Sequence, residues 1–197
     1  MARTVDPARH EARRLVIIDA ALTVFAERGY DGTTTAAICR QAGIGSGTFF
    51  HYFPTKLDVL LAILTIGIEE VREAGAVYAD RTDPLGVLLD IIRQGADDAA
   101  EPRMPGFVRA VGGVMTRPDV AAKLDEDAQA QRDLILPWVE KAQRAGEIRT
   151  DLTPARITSW LYLLTDGFLG RIAVEADFTA EAEKATLVET ARRFLGP

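Results

Sequence analysis

The feature that most constrains this chain is the glycine at position 43, which separates two short segments with helical patterning. The threonines at 33–34 can cap a helix that reaches about Ala42, and Ser46 can begin another that ends before Pro54. Glycine accepts the positive φ that a tight turn between two helices requires. The pattern therefore predicts two helices joined by a turn rather than one continuous helix.

Residue types within 33–53 meet the other requirements of a helix-turn-helix. Cys39 stands four residues before the turn, where a small side chain lets the two helices cross closely. The predicted seam between the helices comprises Ile38, Ala42, Ile44 and Phe49. The outward side of the second helix carries Ser46, Gly47, Thr48, Phe50 and His51. This slim surface predicts an approach to base edges in the major groove of double-stranded DNA.

Apolar residues recur with helical spacing through the rest of the chain. The further predicted helices are 12–28, a segment from the 55–58 capping box to about Ala76, 84–99, 106–116, 118–145, 154–175 and 179–195. Pro137 predicts a kink or a split of one of them near Asp133. The expected fold is all-α. A three-helix head with a short N-terminal arm over 1–55 precedes a larger helical domain over 56–197.

Charge is distributed unevenly between these two parts. Through Lys56 there are seven basic and five acidic residues, a net charge of +2, whereas the remainder has 16 basic and 24 acidic residues, a net charge of −8. The two sum to the −6 of the whole chain. A basic head on an acidic body suits a head that contacts nucleic acid.

Several kinds of chemistry are not expected. A single cysteine excludes an internal disulfide framework and fits a reducing compartment, and no signal peptide or membrane-length apolar stretch is present, so we expect a cytoplasmic protein with no membrane partner. His10 and His51 are far apart in the sequence and lack neighbouring ligand residues, which argues against a metal. No catalytic motif is found, and we expect neither enzymatic activity nor a cofactor.

Residues 13–61 resemble the N-terminal signature of the TetR family of transcriptional regulators. The resemblance rests on Arg14, Ile17, Ala21, Phe25, Gly29-Tyr30, Thr33-Thr34, Ile38, Ala42-Gly43-Ile44, Gly47-Thr48-Phe49-Phe50, Tyr52-Phe53 and Lys56. It implies a ligand-responsive regulator, expected to be a repressor that binds a palindromic operator as a homodimer.

The resemblance also implies roles for single residues. The DNA-binding residues would be Thr33, Thr34, Ser46, Gly47, Thr48, Phe50, His51, Tyr52 and Lys56. Thr33, Thr34 and Lys56 would meet phosphates, and Phe50 would touch a thymine methyl. The family commonly has tyrosine at Phe50 and histidine at Tyr52, so the operator is expected to differ. Two interpretations remain for Arg3, Arg9, Arg13 and Arg14. They form either an arm that enters an adjacent minor groove or a solvated tail.

The body is expected to dimerise and to bind a small effector of unknown identity. Apolar stripes run along the last two helices, which resemble those by which the family dimerises. The resemblance implies an interface of Leu161, Leu164, Gly167, Gly170, Leu187, Val188, Ala191, Phe194 and Leu195, and internal core packing is the alternative. Large side chains suited to a pocket for an apolar or aromatic molecule are Phe107, Met115, Trp138, Trp160, Tyr162 and Phe168, for which ordinary core packing is the alternative. The helix over 57–76 is expected to transmit effector binding to the head.

Two alternatives to a ligand-released repressor remain open. An activator or a corepressor-dependent regulator of the same fold would carry the same head. An all-helical small-molecule-binding protein or enzyme would carry a vestigial head, but it would have no use for the polar surface formed by Lys56, Thr33, Thr34 and Thr48.

Overall fold

The computed structural model describes residues 7–196, and within that range it contains helices and no strands. The helices are α1 (Pro7–Gly32), α2 (Thr35–Ala42), α3 (Ser46–Tyr52), α4 (Lys56–Val77), α5 (Pro84–Ala99), α6 (Met104–Gly112), α7 (Pro118–Arg144), α8 (Pro154–Val174) and α9 (Ala180–Leu195). The predicted all-α fold is confirmed.

Helix α1 is longer than the predicted 12–28. Proline is well suited to the first position of a helix, and α1 begins at Pro7. At its other end Gly29 adopts φ 67°, so the regular helix is interrupted there, one residue after the predicted end. The predicted capping box at the start of α4 is also present: the Thr55 hydroxyl accepts from the Asp58 amide, and the Asp58 carboxylate accepts from the Thr55 amide at 2.8 Å.

The head is built on one apolar core. Ile17 and Phe25 of α1, Ile38 of α2 and Phe49 of α3 are fully buried in it. The same core continues through α4 and α6 into the first turn of α7, with members from Val59 to Val120. Head and neighbouring body helices therefore share apolar packing, and the domain boundary at residue 55 stays a prediction.

A second core lies between α5, α7, α8 and α9. Its fully buried members include Ile92, Ile135, Ile157 and Leu161. This core holds the four helices of the body together through the sides that face one another.

The predicted bounds of one helix were wrong, and the predicted split of another is not observed, so the kink at Pro137 stays a prediction. The predicted helix 106–116 begins two residues earlier and ends at Gly112. Helix α7 runs from Pro118 to Arg144 as a single helix, so Pro137 does not split it. Proline removes one backbone N–H and frees the carbonyl four residues earlier. Both Pro137 and Asp133 are exposed, so water can satisfy that carbonyl while Trp138 holds the helix in the core.

Within residues 7–196, no single helix is long and apolar enough to cross a membrane. The bent pair α3 and α4, whose axes differ by 54°, passes the same test of length and composition. Phe49, Val59 and Leu60 of this pair are fully buried in the head's core.

Candidate nucleic-acid interface

The turn between α2 and α3 has the geometry predicted from its glycine. Gly43 adopts φ 63° and ψ 37°, the left-handed conformation that residues with a side chain rarely occupy. Its N–H donates to the Arg40 carbonyl, and the N–H of Ile44 donates to the Cys39 carbonyl at 3.0 Å. These bonds end α2 and direct the chain into α3.

The predicted seam holds α3 in place. Ile38 and Phe49 are fully buried, and Cys39 is buried in the same core. Phe53, just after α3, is also buried, and the guanidinium of Arg14 lies 5.8 Å from its ring centroid. One side of α3 is thus fixed by apolar packing.

The other side of α3 is free of protein contacts that would cover it. Ser46, Gly47, Thr48, Phe50 and His51 are all exposed, and Phe50 is 54% exposed although it is a large apolar side chain. An exposed phenylalanine next to a fully buried one is the arrangement expected of a helix that presents a face to a partner. The structure brings the predicted groove-facing residues together on one surface.

The two threonines before α2 have different positions. Thr34 is exposed and caps α2, since its hydroxyl accepts from the Ala37 amide at 3.1 Å. Thr33 is 1% exposed, and its hydroxyl donates to the Gly29 carbonyl at 2.7 Å. The predicted phosphate contact of the Thr33 side chain is therefore wrong, because its hydroxyl is used inside the head to close the end of α1.

Lys56 is bound to the end of α1. Its ammonium donates to the Tyr30 carbonyl at 2.7 Å and to the Thr33 carbonyl at 2.8 Å, and it lies 4.4 Å from the Tyr30 ring centroid. These bonds satisfy carbonyls at a helix C-terminus, where a positive charge is favourable. At most one N–H of the ammonium is left for the predicted phosphate contact.

His10 lies beside two of the predicted DNA-binding residues, which the sequence did not reveal. Its ring centroid lies 4.5 Å from that of Tyr52 and 5.8 Å from that of His51. His10 and His51 are 41 positions apart in the sequence, and only the packing of α1 beside α3 brings them together. No local spacing signals such a contact.

The expected basic arm is not an arm in the described residues. Arg9, Arg13 and Arg14 lie within the first turns of α1, and Arg14 pairs with Glu11 at 3.1 Å. Arg3 lies outside the described residues. Because the helix begins at Pro7, Arg9, Arg13 and Arg14 lie on a helix and not on an extended segment.

The predicted dimer interface was wrong in part. Leu161, Leu187, Ala191 and Leu195 are buried in the chain's own core and cannot contact a partner. Gly167 and Gly170 are exposed, whereas Leu164, Val188 and Phe194 are half-buried. The outer side of α8 also exposes Trp160, Leu163 and Val174, at 47%, 51% and 69%. We call this set, together with the two glycines, the α8 outer face.

The six residues predicted to line a pocket do not form one. Phe107 lies in the head's core, Trp138 and Phe168 lie in the second core, and Met115 and Trp160 are exposed. The sequence shows that these six side chains are large, but it does not show in which direction each one points.

An open cleft of about 520 Å³ lies elsewhere, at the ends of α5 and α8 and the starts of α6 and α9. Its lining includes Arg109, Ile172 and Phe178, and none of the six predicted residues. Arg109 spans it by donating to the Ala173 carbonyl at 2.6 Å.

Half-buried polar groups lie between α7 and α8. Burial raises the pKa of Tyr162 to about 12, and the nearby carboxylates of Asp166 and Asp127 add to this shift. Burial also raises the pKa of Asp127, with a further contribution from Asp166. The two carboxylates therefore repel each other in a partly dehydrated site.

Comparison with known proteins identifies the family. A sequence model described as bacterial regulatory proteins of the tetR family matches residues 17–63. A helix-turn-helix transcriptional repressor of Mycobacterium tuberculosis is 30% identical over 192 residues, which cover 92% of this chain and 94% of the relative. The chain belongs to the TetR family. Another relative of this TetR-family protein, the repressor AcnR of Corynebacterium jeikeium, is 27% identical over 185 residues, covering 93% of this chain and 94% of the relative.

Solved structures confirm the TetR fold over nearly the whole chain. A TetR regulator from Haloarcula marismortui matches with a TM-score of 0.81 and 21% identity, covering 94% of this chain and 97% of that one. FadR from Bacillus subtilis, solved in complex with stearoyl-CoA, matches with a TM-score of 0.73 and 18% identity over 92% and 98% of the two chains. This TetR-family protein is a ligand-responsive, DNA-binding transcriptional regulator, as the resemblance of residues 13–61 implied.

Proposed function

We propose that this TetR-family protein is a repressor that binds a palindromic operator as a homodimer. The observation that carries the proposal is the asymmetry of α3: Phe49 is fully buried, while Thr48 and Phe50 on either side of it are exposed. A helix fixed along one side and slim along the other fits the major groove. Ser46, Thr48 and Phe50 contact base edges, and Thr34 and Tyr52 contact phosphates.

A homodimer provides the second recognition helix that a palindrome needs. Two half-sites about 34–36 Å apart require two heads related by a twofold axis. The α8 outer face, defined above, supports this state because three large apolar side chains lie beside two glycines that allow close approach. The buried second core supplies a rigid base for that surface.

The effector binds the helical body and releases the protein from DNA. The cleft at the end of α8 is a suitable place because Ile172 and Phe178 offer apolar contact and Arg109 offers a charge. Arg109 belongs to α6, and α6 packs against α1, so a ligand in this cleft has a direct route to the head in addition to α4. FadR holds stearoyl-CoA, and a ligand screen therefore includes long-chain acyl-CoA molecules beside aromatic compounds.

Fluorescence anisotropy tests the DNA-binding part of the proposal. A duplex selected by the wild-type protein from a random-sequence library serves as the probe. The double variant Thr48→Ala/Phe50→Ala should bind it about tenfold more weakly, since it loses both the hydroxyl and the apolar contact with base edges. Met115→Ala, an equally exposed apolar residue in the body, is the matched control and should bind as wild type.

The same assay addresses the alternatives. Selection of no duplex, or equal binding by the α3 variant and the control, would favour a vestigial head. An added effector that weakens binding identifies a repressor released by ligand. An effector that strengthens binding identifies a corepressor-dependent regulator.

A further inference from the structure

Three aromatic rings from two helices meet at the end of α3. His10 of α1 lies 4.5 Å from Tyr52 and 5.8 Å from His51, and the His51 and Tyr52 rings are 5.1 Å apart, measured between centroids. We call His10, His51 and Tyr52 the aromatic cluster. His51 is exposed and the other two are half-buried, so the cluster reaches the surface beside the groove-facing side of α3.

The imidazoles of His10 and His51 have no polar partner among the described residues. Within residues 7–196 neither His10 nor His51 makes a hydrogen bond or an ion pair, and their contacts are with rings. Yet they are the only two histidines of the chain. The single pair of side chains that ordinarily changes charge between pH 5 and 8 is thus placed on the predicted DNA surface.

We propose that the aromatic cluster is a phosphate-binding site in which His10 and His51 take up protons as DNA binds, so that the protein holds DNA more tightly at lower pH. This inference rests on the proposed DNA-binding function. A protonated imidazole has two N–H donors and a positive charge, whereas the neutral ring has one donor and no charge. The anion it recognises is a phosphate of the duplex backbone.

The charges around the cluster favour coupling to DNA. On α1 the neighbours of His10 are Arg9, Arg13 and Arg14, together with Glu11, whose carboxylate is held by Arg14 at 3.1 Å. On α3 the groups that face His10 are His51 and Tyr52. On α4 the ammonium of Lys56 is directed at backbone carbonyls. No carboxylate among the described residues pairs with either imidazole, so no anion of the protein competes there with a phosphate of the duplex.

His10 also has a positioning role that can be separated from its charge. Its ring packs on Tyr52, which itself packs against the head's core. His10→Phe keeps an aromatic ring at this place and removes the titration. His10→Gln keeps a hydrogen-bonding group without either the ring or the titration.

The experiment measures anisotropy of the selected duplex with the full chain at pH 6.0, 7.0 and 8.0 and fixed ionic strength. Wild-type affinity should fall by about tenfold or more from pH 6.0 to 8.0, since each coupled proton can change it by up to about tenfold per pH unit. His10→Phe should lose part of this dependence, and His10→Phe/His51→Phe should bind independently of pH. Because no other histidine exists, the remaining slope of the double variant measures all other titrating groups.

Salt dependence gives a second measure. The slope of log affinity against log salt should be steeper at pH 6.0 than at pH 8.0 by up to about 0.9 for each histidine that gains a phosphate, and this difference should vanish in the double variant. Circular dichroism confirms folding of each variant, and His10→Gln replaces His10→Phe if the latter fails to fold.

The outcomes separate this inference from the function on which it rests. Tight binding with the same pH dependence in wild type and in the double variant overturns the inference and leaves the proposed function in place. Failure of the wild type to bind any duplex at any of the three pH values overturns both.

Discussion

Gly106 of α6 lies against the backbone of Ala26 in α1, so closely that a Cβ atom on Gly106 would stand 2.2 Å from the Ala26 carbonyl oxygen. Beside this contact, Arg103 donates to the carboxylate of Asp19 at 2.7 Å and to the Thr23 hydroxyl at 3.1 Å. Helix α6 is thus fixed to α1 at its first turn and to the end of α8 through Arg109. It connects the cleft to the head.

Replacement of Gly106 by alanine should separate α1 from α6. The added methyl meets backbone atoms that cannot rotate away, and overpacking of this kind costs about 1–3 kcal/mol. The melting temperature should fall by several degrees, since each kcal/mol corresponds to about 2–4 °C in a chain of this length. Gly112→Ala is the control in the same helix, where a Cβ meets nothing within 4 Å, and it should not lower the melting temperature. An equal fall in both variants would contradict the close contact.

Replacing Phe49 by alanine should mainly lower stability, whereas replacing the adjacent Phe50 should mainly weaken DNA binding. Phe49→Ala opens a cavity in the head's core and should lower the free energy of unfolding by about 3–5 kcal/mol. Phe50→Ala should change it by less than about 0.5 kcal/mol, because the side chain is 54% exposed, while weakening DNA binding. Denaturant unfolding and anisotropy on the same samples measure both effects. A large loss of stability in Phe50→Ala would remove the basis for its groove-facing role.

Lys56 should contribute to stability as well as to DNA binding. Lys56→Met removes two charge-assisted hydrogen bonds to the Tyr30 and Thr33 carbonyls, and we expect a loss of about 1–2 kcal/mol in a half-exposed position. Arg28→Met removes an exposed positive charge from α1 and serves as the control. If the two variants unfold at the same denaturant concentration, the capping of α1 by Lys56 contributes nothing measurable.

Local chemistry allowed much of the fold to be predicted from sequence. The left-handed Gly43, the capping box of Thr55 and Asp58, and the spacing of Ile38 and Phe49 each depend on residues a few positions apart. The all-α fold and the helix-turn-helix were predicted correctly, although some helix bounds were not, because period and capping are local properties. The exposed surface of α3 follows from the same periodicity.

Tertiary relationships could not be predicted in this way. Thr33 has the residue type of a phosphate contact, but its burial is decided by α1 lying over it. His10 and His51 meet only because α1 packs beside α3. On α8, adjacent Trp160 and Leu161 belong to the surface and the core, and apolar character alone does not tell which side faces inward.

Introducing a charge on the α8 outer face should dissociate the proposed dimer. Leu163 is 51% exposed, so Leu163→Glu should leave the chain folded, while a carboxylate opposite its symmetry mate disfavours association. We expect sedimentation to shift from dimer towards monomer and operator affinity to fall. Gln129→Glu adds the same charge at an exposed position of α7 and should remain dimeric. A wild-type protein that sediments as a monomer would refute the dimer directly.

Asp127 should make stability depend on pH. Burial and the carboxylate of Asp166 raise the pKa of Asp127 in the folded protein, so ionisation is less favourable there than in the unfolded chain. Stability from this group is therefore present at low pH and lost as pH rises through the folded pKa. Asp127→Asn should melt higher than wild type at pH 7, and the difference should shrink below about pH 4, where the unfolded carboxyl is also protonated. A variant that melts lower at pH 7 would contradict the burial penalty.

Hydroxyl-radical footprinting of the selected duplex tests the central claim most directly. Two heads that each insert α3 into the major groove should protect two symmetric half-sites whose centres lie about 34–36 Å apart, or a multiple of one helical turn. The protection should disappear in Thr48→Ala/Phe50→Ala and persist in Met115→Ala. A single protected half-site, or a footprint unchanged by the α3 substitutions, would contradict a dimer that reads DNA through α3.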